Sequence, residues 1–293
     1  MVSSMTGPAV LPTGRLMESK IDVLGVPVDA IDLTEAVCRI GGWIRARRSA
    51  YVCVTGVHGV MECQRDRDLQ EVHARADLVV PDGMPLVWAG RYANARWMGR
   101  VYGPDLMSMI MDRSQEEGWR HYLYGGRPGV TQILSQELHS KFPRALLVGR
   151  HSPPFRTLTD AEDQQIIEDI NRCSPDIVWV GISTPKQERW MAQHLERLRP
   201  AVLIGVGAAF DFHAGLVQQA PRWIQHSGLE WGFRLAHEPR RLWRRYLRNN
   251  PAFIRKILVQ PPVLRVPFGA PSVTDVDGVI VIDLRPPSRI EAS

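Results

Sequence analysis

Three kinds of residue in this sequence carry the chemistry of a site: carboxylates that end apolar runs, glycines in the same position, and arginines crowded onto one late segment. Asp82 follows the run ADLVVP and precedes Gly83. An aspartate between proline and glycine is good turn chemistry, its carboxylate bonding nearby backbone N–H groups. At a strand end facing glycine loops, the same carboxylate is also placed to take a proton from an attacking hydroxyl. Asp211, in AAFDFHAG, is a second carboxylate of this kind with the same turn or cap alternative. Gly125 and Gly126 open YGGRPGV, where missing side chains let backbone N–H groups approach a phosphate, although a plain tight turn uses the same residues.

The arginines give the charge a location. Between Arg222 and Lys256 stand nine Lys or Arg against two acids, Glu230 and Glu238. That window is +7, which leaves −2 for the rest of a chain whose formal charge is +5. A local excess of this size points to a particular anionic partner rather than to a generally cationic protein. The segment GLEWGFRLAHEPRRLWRRYLRNNPAFIRKIL divides at Pro239, which cannot continue one helix but suits the first turn of the next. At about 100° per residue, Arg241, Arg244, Arg245 and Arg248 share one arc and Leu242, Trp243, Tyr246 and Leu247 the opposite one. Such a helix suits a diphosphate, an anionic membrane surface, or nucleic acid. Nucleic acid calls for a reading motif or wider basicity, and neither is present. A non-catalytic protein that grips nucleic acid with this basic arm is kept as the alternative function.

Other chemistries lack their residues. Cys38, Cys53, Cys63 and Cys173 form no CxxC pair, and the nine histidines include no HExxH, so neither a disulfide framework nor a metal is expected. GVGAAF has Phe210 where a dinucleotide fingerprint needs its third glycine and no acid about twenty positions on, so no NAD-type cofactor is expected. No stretch of about eighteen apolar residues occurs and MVSSMTGPAVLPTGRLMESK does not have the order of a secretory signal, which makes the cytoplasm the expected compartment.

The elements that must position these groups follow from apolar rhythm. IDVLGVPVDAID suggests a short hairpin, and DLTEAVCRIGGWIRARRS a helix with apolar residues at Ala36, Val37, Ile40, Trp43 and Ile44. AYVCVT, ADLVVPD, RHYLYGG, ALLVGR, DIVWVGI and AVLIGVG are short apolar runs that read as buried parallel strands. Between them RDRDLQEVHARA, MPLVWAGRYA, GPDLMSMIMDRSQEEG, GVTQILSQELHSKF, TDAEDQQIIEDINRC and TPKQERWMAQHLERL read as helices, the last three with cap or first-turn signals at Thr131, Asp160 and Thr184. The expected fold is α/β: a Rossmann-like, mostly parallel sheet flanked by helices, with a C-terminal basic amphipathic helical appendage. Thr55, Asp82, Gly125, Gly126, Ser183, Thr184 and Gly205 to Gly207 then all sit at strand ends on one edge, where ligands of such sheets collect.

Six ordered motifs, ADLVVPDGMPLVW, RVYGPDLM, YLYGGRPGV, VGISTPKQE, GVGAAFDFHAG and LEWGFRLAHEPRRLWRRYLRNNP, make the chain from about Ile21 to Leu258 resemble the WecG/TagA/CpsF family of bacterial glycosyltransferases. The resemblance implies a metal-independent, inverting transfer of a hexose or N-acetylhexosamine from a UDP-sugar to a polyprenyl-diphosphate-linked saccharide, with glucosyl and N-acetylmannosaminyl types both open. Asp82 matches the proposed general base, Thr55 a threonine lining the same pocket, and Gln187 a glutamine near the donor. Arg241, Arg244 and Arg245 match arginines of an appendage that closes over the donor diphosphate, and the motifs add Gly83, Arg100 and Arg234 to the expected substrate-binding set. Many members carry an asparagine two residues after the threonine; here that position is Val57, followed by His58, so a hydrogen bond to the sugar or acceptor is either missing or supplied by His58.

The expected organisation is a flexible leader over 1–20, an α/β glycosyltransferase core over 21–220, a membrane- and diphosphate-binding helical appendage over 221–260 and a tail over 261–293. Trp231, Trp243 and Tyr246 would bring the appendage to the inner face of the plasma membrane, beside the lipid-linked acceptor. Composition leaves the oligomeric state open, a homo-oligomer included. Within the tail, VDGVIVIDL reads as one strand.

Overall fold

The computed structural model describes residues 18–266, 272–276 and 279–283. Positions 1–17 of the expected leader and most of the expected tail lie outside the described residues.

The chain opens on the expected hairpin, β1 Lys20–Val23 and β2 Val26–Asp29. Helix α1, Leu33–Arg45, starts where the Asp32 carboxylate accepts from the Glu35 N–H, satisfying one of the free donors of the first turn. An alternation follows: β3 Ala50–Thr55, α2 Val57–Cys63, α3 Arg67–Arg75, β4 Leu78–Pro81, α4 Met84–Tyr92, α5 Gly103–Glu117, β5 Arg120–Gly125, α6 Val130–Lys141, β6 Leu146–His151, α7 Asp160–Cys173, β7 Ile177–Gly181, α8 Lys186–His194 and β8 Val202–Gly205. After α9, Ala209–His213, come three helices, α10 Arg222–His226, α11 Glu230–His237 and α12 Pro239–Val259, then β9 Val263–Arg265, β10 Ser272–Val276 and β11 Val279–Asp283.

All six apolar runs are strands, and they form one sheet in the order β4-β3-β8-β7-β5-β6 with every neighbouring pair parallel. Tyr51, Cys53, Val79, Val178 and Leu203 enter the core on one face, and Val52, Val80, Trp179 and Ile204 enter it on the other. This period of two is why runs with no polar break are strands: both faces are covered. Burying each large side chain contributes on the order of 2 kcal/mol, so stability resides in the sheet and its edge loops are free to carry function.

Three local expectations change. The segment VHGVMEC is a helix that no periodicity announced, because seven residues are too few for a 3.6-residue repeat to show. The first-turn signals hold at Thr131 in α6 and at Asp160, which opens α7 behind a reciprocal box of Thr159 with Glu162, whereas Thr184 lies outside α8, before its N-cap Pro185. VDGVIVIDL is two strands, since Val276 closes β10 and pairs with Val279 at the start of antiparallel β11.

A second, small sheet has the order β2-β1-β9. Lys20 pairs with Arg265 and Ile21 with Leu264, so the chain beyond α12 returns to its own first strand, and the Arg265 guanidinium bonds Asp22.

Candidate active site

Asp82 leaves the carboxyl end of β4 with its N–H bonded to the Thr55 carbonyl at the end of β3, 2.9 Å. Its Oδ1 accepts from the Gly103 N–H at 3.2 Å, and the Arg100 Nε donates to its backbone carbonyl at 2.9 Å. Burial pushes the Asp82 carboxyl above the usual carboxylate range and the Glu230 charge adds to the rise, while Arg100, the Gly103 N–H and Arg234 oppose it. A carboxylate held short of full stabilisation, with Oδ2 left over, has the character of a base.

Asp82 lines a cleft of about 530 Å³ between the sheet edge and the C-terminal helices. His58, Gly83, Arg100, Arg234 and Arg245 line it too. Its far walls are apolar: Trp88, Trp231, Phe253, Ile254 and Leu258. The helices are held over it by Arg100, which reaches Gln225 Oε1 at 3.1 Å and pairs with Glu230, both at the start of that helical segment. Gly228, at φ 72°, lies so close to the Trp88 ring that an added Cβ would stand 2.3 Å from it, so this seam requires glycine. Arg234 stacks over Phe212 at 5.3 Å and Arg245 over Tyr246 at 5.0 Å, and the Nε of each is buried without a partner.

A second cleft, about 750 Å³, opens beside the first over β5 and β7. Its lining carries more charge: Arg127, Arg156, Lys186, Arg189 and Arg241 stand with Asp160, Asp163 and Asp211 among rings such as Tyr124, Phe155 and Trp190. Arg127 lies 3.8 Å from Asp211. Gly125, at φ 132°, passes so near the Gly181 backbone that a Cβ would meet it at 2.6 Å, so the glycine pair is needed for strand packing as well as for an open loop. Arg241 and Arg245, one turn and about 6 Å apart on α12, each enter a different cleft, so this helix roofs both.

Placement of the expected residues is uneven. Six share the Asp82 cleft and three, Gly126, Asp211 and Arg241, line its neighbour. Thr55 is buried beneath, its hydroxyl 3.2 Å from His73 Nε2, and Gln187 is buried against the loop of Gly205 to Gly207 with its Oε1 unpartnered. Gly125 stands behind Gly126, and Arg244 points outward, over Trp243 at 5.2 Å, lining neither cleft. The opposing arcs of α12 are therefore corrected: Leu242, Asn249 and Phe253 form its buried stripe, Trp243 and Leu247 are exposed, and the arginines divide between two clefts and solvent. Packing at Asn249 and Phe253, beyond the arginine run, sets the rotation. Glu230, Asn249, Arg127 and Lys186 were not singled out, because what each faces in the fold lies far away in sequence; all four are in the quoted motifs, which was the one signal available.

Among the described residues no three His, Cys, Asp or Glu side chains gather as a metal site, and no helix is long and apolar enough to cross a membrane.

Residues 21–265 match the model of the glycosyl transferase WecG/TagA/CpsF family. A Bacillus subtilis (strain 168) protein named N-acetylglucosaminyldiphosphoundecaprenol N-acetyl-beta-D-mannosaminyltransferase is 30% identical over 184 residues, 62% of this chain and 69% of its own. Proteins of the same name from Bacillus spizizenii and Staphylococcus aureus (strain MW2) are each 24% identical, the first over 74% of this chain and 81% of its own, the second over 83% and 94%.

Proposed function

The chain belongs to the WecG/TagA/CpsF family of glycosyl transferases, and from that premise we propose that it moves a hexose or N-acetylhexosamine from a UDP-sugar to a polyprenyl-diphosphate-linked saccharide, with inversion and without a metal. The observation that carries this reading is the pair of clefts under one helix: a carboxylate of raised proton affinity in an apolar-walled cleft, and an arginine-rich cleft beside it.

In this reading Asp82 Oδ2 takes the proton of the acceptor hydroxyl as that oxygen forms its bond to the anomeric carbon. The bond from that carbon to the diphosphate breaks with its electron pair going to UDP, and Asp82 later returns the proton to solvent. One displacement inverts the centre. Charge grows on the leaving diphosphate, and arginine forks suit its oxygens; Arg127 and Arg241 line the charged cleft, and Arg245, one turn from Arg241 on α12, lines the adjoining one. The nucleoside diphosphate goes to the charged cleft and the lipid-linked acceptor to the apolar one. Trp231, Ile254 and Leu258, together with exposed Trp223, Leu229 and Val259, give the C-terminal helices an apolar rim beside their arginines, the combination that docks at an anionic lipid surface.

A thermal-shift series with UDP, UDP-glucose, UDP-N-acetylmannosamine, NAD and a short DNA duplex, with EDTA throughout, tests the reading, since a ligand of the native state raises the midpoint by mass action. Stabilisation by UDP and more by one UDP-sugar is expected. A response to DNA or NAD with none to UDP overturns it.

A further inference from the structure

Asn249 is the buried polar side chain of α12, 2% exposed on a stripe otherwise made of Leu242 and Phe253. Its two ends face different groups. Arg65 Nη2 donates to Asn249 Oδ1 at 2.7 Å. A guanidinium has donors and no acceptor, so the amide atom facing it must be the oxygen. The NH2 then faces the other way, where His58 Nδ1 lies 3.0 Å from Nδ2. An N–H directed at a ring nitrogen requires a lone pair there, which leaves the proton of the neutral ring on Nε2. Burial, with Arg245 and Arg65 nearby, holds the His58 pKa down at about 4, so the ring is neutral at pH 7. His58 lines the Asp82 cleft, and among the described residues nothing bonds its Nε2.

We propose that Asn249 is a positioning residue for His58: reaching across from α12, it fixes the imidazole as the Nε2–H tautomer, and His58 thereby offers the cleft one neutral N–H donor for an oxygen of the bound sugar, a hydroxyl or an acetamido carbonyl. The sugar half of this inference rests on the transferase reading above; the tautomer half does not. Because Asn249 belongs to the helix that roofs the cleft, the tautomer is fixed only while that helix is docked. Glu62 Oε1, 3.7 Å from Nδ1, is beyond hydrogen-bond reach and is already engaged by Arg65 at 2.6 Å, so it does not compete for the ring.

The test is ¹⁵N-histidine labelling of the full chain and long-range ¹H–¹⁵N correlation at pH 7, with the His58 signals assigned by their loss in His58→Gln. Protonated Nε2 and unprotonated Nδ1 are expected; a proton on Nδ1 overturns the proposal. Asn249→Asp keeps a partner for Arg65 and turns an oxygen toward the ring, so it should move the proton to Nδ1 and raise the His58 titration midpoint. With donor and acceptor each varied against a saturating partner, it should raise KM for one of them about ten-fold, with a smaller change in kcat. A switched tautomer with both KM values unchanged overturns the contact with sugar. Should Asn249→Asp lose its cooperative thermal transition, Asn249→Ser replaces it, and a mixture of tautomers is expected there; retention of pure Nε2–H in that variant overturns the role of Asn249. A wild-type Nε2–H ring in a protein that transfers no sugar would sink the transferase reading and leave the positioning standing.

Discussion

The two clefts share a sheet edge and a roof, and they differ in nearly everything else. Around Asp82 the walls are Trp88, Trp231, Phe253, Ile254 and Leu258, and the cations present are stacked on aromatic rings. The cleft at Asp211 also has aromatic walls, but it adds Arg127, Arg156, Lys186, Arg189 and Arg241, with Asp160 and Asp163 among them. Parallel strands deliver every loop to one edge, so topology provides the place; which loop is apolar and which is charged divides that place in two, and the proposed function gives one part to a lipid-linked hydroxyl and the other to a nucleoside diphosphate.

The sharpest way to break this contrast is Asp82→Asn. Turnover should fall by about a hundred- to ten-thousand-fold while UDP affinity, measured by calorimetry, stays put; equal loss of both would mean one site rather than two. The same variant should melt at a higher temperature than wild type at pH 7. A carboxyl whose folded pKa is raised contributes stability below its unfolded value of 3.8 and loses it as pH rises through the folded value, so at neutral pH its ionised form is a net cost that asparagine removes.

A smaller effect is expected on the apolar side alone. Ile254→Glu with Leu258→Glu should lower sedimentation with anionic liposomes at least ten-fold and raise acceptor KM, with no change in UDP binding. On the charged side, Arg127→Ala with Arg241→Ala should weaken UDP about three- to ten-fold, an effect that shrinks as salt is added and leaves liposome binding intact, since both side chains are exposed. Smallest is the change expected from Glu230→Gln. Removing that charge takes away one cause of the raised Asp82 pKa, so the acid limb of kcat/KM should move to lower pH, and a limb that does not move would detach Asp82 from it.

Much of the sheet was legible before any coordinates, because a strand covered on both faces leaves an uninterrupted apolar run, and Asp82, Gly126 and Asp211 stood out as the residues that end or follow such runs. Pro239 likewise announced the break between α11 and α12. The facing of α12 was not legible. Four arginines on one arc look like one surface, yet the buried positions Leu242, Asn249 and Phe253 set the rotation and sent Arg241 and Arg245 to different clefts. Nor does local pattern reveal a bond between His58 and Asn249, 191 positions apart, or between Arg100 and Glu230, 130 apart. Such pairs are products of closure, and only the folded chain brings them together.

The ladder between β1 and β9 turns the helices above the clefts into a ring of chain, anchored to the body of the protein at both ends. The roughly fifty residues from α9 to β9 cannot swing away as a tail does. Each return to the clefts is a first-order event at an effective concentration in the millimolar range, whatever the concentration of protein, and weak seams are sufficient to keep such a roof shut. Opening the ladder would leave the helices their sequence and remove that advantage.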